Sequence, residues 1–379
     1  MTKILLLSGF LGSGKTTLML KLAGELQRRG NSVSLITNDQ GNNLVDTGYA
    51  AAAGFDTREI TGGCFCCKFP DLLSTLSSIA EVQQPDYVIA EAVGSCTDLN
   101  ATVIQPLLLY HSDLMQIAGF WALADGFRFS FAGEYTNLAL EQPVLPLEVL
   151  VSHQISESAV VLLTKCDLLT AEEQQAGLDR IRRLNPNAEI AACSAKTGEG
   201  LKELAERLRR GGGSGSGRGM GIPPHPIPLN YDVYAEAEAE YGWYNGSWNL
   251  KAAEGETINP ANAAAALLDV LQEELNTVRN NGVFPIAHAK IQVITAEGSI
   301  KTGIAGGHFQ APDVMELPGN VVLQMVVNIR AAFEPEILSL TVREKVLMKL
   351  LESFPDAAVS EYSEQILTPS RPEPTYRIY

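Results

Sequence analysis

The segment GFLGSGKTT, residues 9–17, follows the apolar run KILLLSG and opens a helix-type run that reaches about Arg29. A glycine-rich turn between a buried strand and a helix constrains the fold more than any other stretch of this chain. Gly9, Gly12 and Gly14 let successive backbone N–H groups curl around one point, where the helix adds the positive end of its dipole. Such a concavity takes phosphate oxygens, with Ser13 and Thr17 in the same loop. Lys15 supplies a point charge toward the β and γ phosphates of a nucleotide, and Thr16 offers a hydroxyl to Mg²⁺.

The remainder of residues 1–210 repeats the strand–helix alternation. Apolar runs at 32–38, 86–92, 117–125, 159–165 and 188–195 read as buried strands, and 171–184 and 200–210 carry helical periodicity. Continuously apolar strands alternating with helices predict an α/β fold, a mostly parallel sheet covered by helices on both faces. GGGSGSGRG at 211–219 forms neither core nor helix and reads as a flexible linker, either natural or an engineered joint with Met220 as a second start. Residues 220–365 predict a smaller α+β domain. Its expected elements are strand pairs at 231–253, turning at Asn245-Gly246, and at 287–305, turning at Glu297-Gly298. A strand at 321–333 and helices at 259–281 and 341–354 complete it, the first helix with Asn259 as N-cap and Pro260 in its first turn. The proline-rich end, 366–379, reads as a loose tail.

A formal net charge of −16 excludes a general nucleic-acid binder, because no basic face is available to neutralise phosphates. No apolar run approaches the length of a membrane span, and the N-terminus lacks the cleavage site of a secretory signal. Six scattered cysteines in 379 residues do not make an even disulfide framework, so the expected location is a reducing one, the cytoplasm.

Two later strand ends suit guanine. In LLTKCD, Asp167 can accept from the N1–H and N2 edge while Lys165 lays its stem along the ring and Thr164 precedes them. In CSAKTGEG, Ser194, the Ala195 N–H and Lys196 fall where they meet guanine O6. The pair of loops favours GTP over ATP. Glu91 ends the strand at 86–92 and can hold the Mg²⁺ shell or orient a water, and the Gly94 N–H can meet the γ phosphate. Asp39 ends the preceding strand and is the second candidate for the metal shell and the chemistry.

GGCFCC, residues 62–67, gathers half of the cysteines. Thiolates of Cys64, Cys66 and Cys67 can converge on one soft or borderline cation, Zn²⁺ first, with Co²⁺, Ni²⁺ and Cu⁺ as alternatives. Three ligands leave a tetrahedral position open, and Cys96 is a candidate fourth. Redox sensing and core packing are the competing readings. The five histidines are scattered, with no run and no i, i+4 pair, so no second metal site is expected. Tyr241, Trp243, Tyr244 and Trp248 read as cross-strand packing.

In order along the chain, Gly9–Thr16, Gly63–Cys67, Glu91–Gly94, Thr164–Asp167 and Ser194–Lys196 resemble the CobW-type family of metal-handling GTPases, relatives of the urease and hydrogenase nickel-insertion GTPases. The resemblance covers about residues 1–210. It departs at Thr164, where asparagine is commoner, and at Val93, where a hydroxyl residue is usual. The resemblance implies slow, partner-stimulated GTP hydrolysis with Mg²⁺, binding of Zn²⁺ or Co²⁺ at the cysteine loop and delivery to a client metalloprotein. It also implies a nucleotide-dependent homodimer. The alternatives are a GTP-gated chaperone of a cobalamin-dependent enzyme with a structural thiol site, and a thiol redox sensor on an NTPase.

Overall fold

The computed structural model describes residues 1–38, 54–130, 146–210, 225–276, 286–305, 308–310 and 317–379. Asp39 and the expected linker at 211–219 lie outside the described residues. The chain divides into two compact units: the described residues up to Glu238 together with Arg371–Tyr379, and those of Ala239–Ser370.

The first unit is built on a seven-stranded sheet in the order β3-β2-β4-β1-β5-β6-β7. Its strands are β1 Lys3–Ser8, β2 Val33–Asn38, β3 Asp56–Ile60, β4 Tyr87–Glu91, β5 Gln116–Asp125, β6 Val160–Thr164 and β7 Glu189–Ala192. Every adjacent pair is parallel, as the continuously apolar runs require. Burial is complete along β2, β4 and β6. The sheet's helices include α1 Lys15–Arg28, α2 Phe69–Ser78, α3 Gln105–Tyr110, α4 Pro146–Ser156, α5 Ala171–Leu184 and α6 Leu201–Arg210. A capping box between Thr170 and Glu173 starts α5 and satisfies two otherwise bare donors. Because β1 lies between β4 and β5, the loop after β1 opens between their C-terminal ends, where parallel sheets bind ligands.

The second unit is a six-stranded sheet in the order β11-β10-β9-β12-β8-β13. The strands are β8 Gly242–Lys251, β9 Ile286–Thr295, β10 Gly298–Ala305, β11 His308–Gln310, β12 Val322–Ala331 and β13 Ala358–Leu367, each antiparallel to its neighbours. The helix Pro260–Asn276 packs against β9 and β10. Asn259 caps it as expected, accepting from the N–H groups of Ala261 and Asn262 at 2.9 and 3.1 Å.

Two expectations are corrected. Residues 231–253 are not a hairpin: Tyr231–Ala239 is helical, and β8 runs straight through Asn245-Gly246. The Asn245 side chain is engaged in a buried polar network, accepting from Asn328 at 3.1 Å and Arg330 at 2.8 Å, and Gly246 gives way to the Tyr244 ring. The end of the chain is also not loose. β13 continues to Leu367, and the segment 371–379 hydrogen-bonds into the first unit, with Thr375 N–H on the Cys66 carbonyl at 2.9 Å and Ile378 N–H on that of Ala101 at 3.0 Å.

Candidate nucleotide site and thiol cluster

The loop after β1 holds the candidate phosphate-binding residues together by local bonds. Lys15, the first residue of α1, curls back so that its Nζ donates to the Gly9 carbonyl at 2.7 Å. Thr16, one residue on, turns toward the sheet and donates to the Glu91 carboxylate at 2.9 and 3.1 Å. A hydroxyl in the first turn of α1 and a buried carboxylate at the end of β4 are hard oxygen donors, the kind that Mg²⁺ accepts. Ser13 is buried, Gly12 and Gly14 are half-buried, and Thr17 is exposed. Gly94 closes the other side: a Cβ there would stand 2.8 Å from the Leu11 backbone nitrogen, so only glycine allows this approach of the β4 loop to the phosphate loop.

The guanine-type residues assemble at the ends of β6 and β7. Ser194 Oγ donates to Asp167 Oδ1 at 2.6 Å and so fixes the carboxylate. Thr164 Oγ1 donates to the Ser13 carbonyl at 2.7 Å and reaches that of Ala124 at 3.2 Å, tying this loop to the phosphate loop. Lys165 adopts a left-handed φ of 59° and pairs through Nζ with Asp125 Oδ2 at 2.7 Å. Ala195 is half-buried and Lys196 exposed. Asp125 was not among the sequence candidates. Its signal was the aspartate ending the run at 117–125, the same signal that marked Glu91.

The cysteine loop leads into α2. Gly62 turns the chain with a φ of 74°. The Asn38 side chain, at the end of β2, then clamps the loop by donating to the Ile60 and Gly63 carbonyls at 3.0 and 2.8 Å and accepting from Phe65 N–H at 3.0 Å. This brings the Cys64 and Cys66 sulfurs to 2.8 Å, Cys64 and Cys67 to 3.4 Å, and Cys66 and Cys67 to 3.7 Å. Cys96 Sγ lies 3.7 Å from that of Cys66. None of the cysteines is in a disulfide. Hydrogen bonds with Cys64 and then Cys67 push the Cys66 thiol well up, and the bond to Cys64 takes Cys67 to about 11. Hydrogen bonds from Cys64 and Cys66 draw Cys96 down to about 6. The sulfurs of Cys64, Cys66 and Cys67 lie within 4.8 Å of one another, three donors of the kind a tetrahedral borderline cation takes, with Cys96 next to Cys66. Cys166 and Cys193 are buried beside the guanine-type loops, their thiols pushed up to about 11 and about 12 by burial.

Buried polar groups around residues 94–98 escaped the sequence reading. Gln154 Nε2, on α4, donates to the Gly94 and Cys96 carbonyls at 3.0 and 2.9 Å. Ser95 Oγ donates to Glu238 at 2.6 Å, and burial pushes that carboxyl up to about 8. Thr97 Oγ1 and Asn100 N–H donate to the two Glu157 oxygens at 3.1 and 2.9 Å, and burial takes Glu157 to about 7. His153, Asp98 and Glu157 converge here, which histidine spacing alone did not disclose.

A glycine-rich loop after β1, a hydroxyl bonded to a buried carboxylate and a thiol cluster on a parallel sheet define an α/β protein with the features of a nucleotide-binding domain and a metal-type sulfur site. A family profile described as "CobW/HypB/UreG, nucleotide-binding domain" matches residues 3–192, and the chain belongs to that family. Among curated proteins it is similar to "Zinc-regulated GTPase metalloprotein activator 1" of Dictyostelium discoideum, at 26% identity over 48% of this chain and 44% of that protein. It is also similar to "Zinc chaperone YjiA" of Escherichia coli, at 28% identity over 49% of this chain and 56% of that protein. A third relative, "Zinc chaperone YeiR" of Escherichia coli, matches at 33% identity over 25% of this chain and 29% of its own length. The chain thus spans about half the length of the first two relatives. Among the described residues, no helix is long and apolar enough to cross a membrane.

Proposed function

We propose that this chain is a GTP-hydrolysing metallochaperone that holds Zn²⁺, with Co²⁺ as the second candidate cargo, on Cys64, Cys66 and Cys67 and passes it to a client metalloprotein. The observation that carries this reading is the single segment Gly94–Cys96. At one end Gly94 is packed against Leu11 of the phosphate loop, and at the other the Cys96 sulfur is 3.7 Å from that of Cys66. A movement of this segment on the γ phosphate therefore changes the sulfur geometry, which is how hydrolysis becomes holding or release. Lys15 and the amides of Gly12, Ser13, Gly14, Thr16 and Thr17 would stabilise the charge on the transferring phosphoryl. Thr16 and Glu91 would hold Mg²⁺, with Asp39 as the further acidic candidate, while Thr164, Lys165, Asp167, Ser194, Ala195 and Lys196 select guanine. The relatives' names, a zinc-regulated GTPase metalloprotein activator and a zinc chaperone, support zinc and a client. A cytoplasmic location and a nucleotide-dependent homodimer belong to the same reading.

The deciding measurement is a Zn²⁺ competition titration with GDP and with a non-hydrolysable GTP analogue, on the unmodified chain and on Cys66→Ser. The expected result is a nucleotide-dependent Zn²⁺ affinity that collapses in the variant. An affinity indifferent to both changes overturns the proposal.

A further inference from the structure

We infer that Asp98, His153 and Glu157 form a second divalent-metal site, built from nitrogen and oxygen donors and separate from the thiol cluster. His153 and Glu157 sit one helical turn apart, with Glu157 N–H bonded to the His153 carbonyl at 2.9 Å, so their side chains share one face. Asp98 meets that face from the loop after β4. One ligand atom from each of the three lies within 4.8 Å of the others, and all three residues are more than nine-tenths buried.

The hydrogen bonds around the cluster are sided. Asp98 Oδ2 accepts from Tyr231 Oη at 2.9 Å, Arg377 Nε at 3.1 Å and Tyr379 Oη at 3.3 Å. Each Glu157 oxygen accepts one bond, from Thr97 or from Asn100. The atoms turned toward each other, Asp98 Oδ1 and His153 Nε2, have no hydrogen-bond partner among the described residues. They stand 3.8 Å apart, too far for a hydrogen bond between them. Outer donors that orient two carboxylates and leave an imidazole nitrogen and a carboxylate oxygen facing inward are the arrangement of a ligand set with its supporting shell. Buried polar atoms left bare in this way are costly, and a bound cation removes that cost.

The donor chemistry selects the ion. An imidazole with two carboxylates suits Zn²⁺, Co²⁺ or a neighbouring first-row divalent ion; the absence of sulfur among the three disfavours Cu⁺, and the imidazole disfavours Ca²⁺ and Mg²⁺. Asp98 pairs with the Arg377 guanidinium and Glu157 accepts from the neutral donors Thr97 and Asn100, so in these contacts two carboxylates stand against that one cation. Asp98 follows Cys96 by two residues, so the site shares the loop after β4 with the thiol that stands beside Cys66. The inference stands independently of the cargo reading, since it uses none of the three loop cysteines.

The test is Co²⁺ titration of the chain carrying Cys64→Ser, Cys66→Ser and Cys67→Ser, with far-ultraviolet circular dichroism to confirm the fold. The expected result is one bound Co²⁺ with visible d–d bands and no thiolate charge-transfer band, and at least a tenfold loss of affinity on adding His153→Gln. No stoichiometric Co²⁺ in the folded variant, a thiolate band assigning the ion to Cys96, or an affinity unchanged by His153→Gln each overturns the inference. Should the triple variant not fold, the unmodified chain is loaded instead, and its Co²⁺ count is expected to fall by one with His153→Gln alone. An unchanged count there also overturns it.

Discussion

Gly94 and Thr164 are the residues through which the phosphate loop is held from two sides. Gly94→Ala would set a Cβ 2.9 Å from the Leu11 Cα, a distance that backbone must yield to rather than a flexible side chain. Overpacking of this kind costs about 1–3 kcal/mol. The variant is expected to melt lower and to bind GTP at least about tenfold more weakly, since a displacement worth about 1.4 kcal/mol suffices; isothermal titration that returned the unmodified affinity would contradict the role given to Gly94. Thr164→Val keeps the shape and removes the hydroxyl that meets the Ser13 and Ala124 carbonyls. Leaving those acceptors bare costs about 1–3 kcal/mol, read as a lower denaturation midpoint at unchanged slope. The sequence already set Thr164 apart, as a departure from asparagine, but could not say what its hydroxyl touches. Asp125, Asn38, Gln154 and His153 were hidden for a related reason. Each is a single polar residue whose meaning comes from a partner distant in sequence, and polar residues at strand ends and on helices are common without one.

At the scale of the element, legibility followed burial. β1, β2, β4, β5 and β6 are apolar nearly throughout and were found within a residue or so of their ends. β3, DTREI, is an edge strand with only Ile60 fully buried, and it gave no apolar run to read. β13 is likewise an edge strand, interrupted where its register shifts between Ser360 and Ser363, so its alternation gave no strand to read at the end of the expected 220–365 domain. In β8 the Asn-Gly pair had the composition of a turn, yet the buried network around Asn245 decided otherwise, a tertiary contact overriding a local signal. The segment 371–379 gives this scale its prediction. Besides the bond to the Cys66 carbonyl, Glu373 N–H reaches Cys67 Sγ at 3.3 Å. A chain ending at Ser370 loses these bonds and the Arg377 contact with Asp98. Local opening made easier by about 1–2 kcal/mol corresponds to alkylation of Cys67 about five- to thirtyfold faster. Mass spectrometry of timed iodoacetamide labelling measures it, and equal rates in the two chains would detach the segment from the thiol loop.

For the whole molecule, the buried acids of the first unit dictate how stability runs with pH. Burial pushes Glu238 up to about 8 and Glu157 up to about 7, against ordinary glutamates near 4.5. Between the ordinary and the raised values the folded state holds protons that the unfolded chain releases, so unfolding is favoured as pH rises. Their contribution is fully present below the ordinary value and is lost as pH climbs through about 7 for Glu157 and about 8 for Glu238. Cys96, drawn down to about 6, runs the other way: its contribution is present at high pH and is lost as pH falls through that value. The separate effect of one acid is therefore read by difference. Glu238→Gln keeps the bulk and a polar group opposite Ser95 but cannot titrate. In metal-free protein, the difference in unfolding free energy between the variant and the unmodified chain should shift in favour of the variant as pH rises from about 5 to about 8, by up to about 1.4 kcal/mol per pH unit, read from denaturant melts. The opposite trend, or a gap constant across that range, would mean that Glu238 is ionised in the folded protein and that the Ser95 bond, rather than burial, governs its proton.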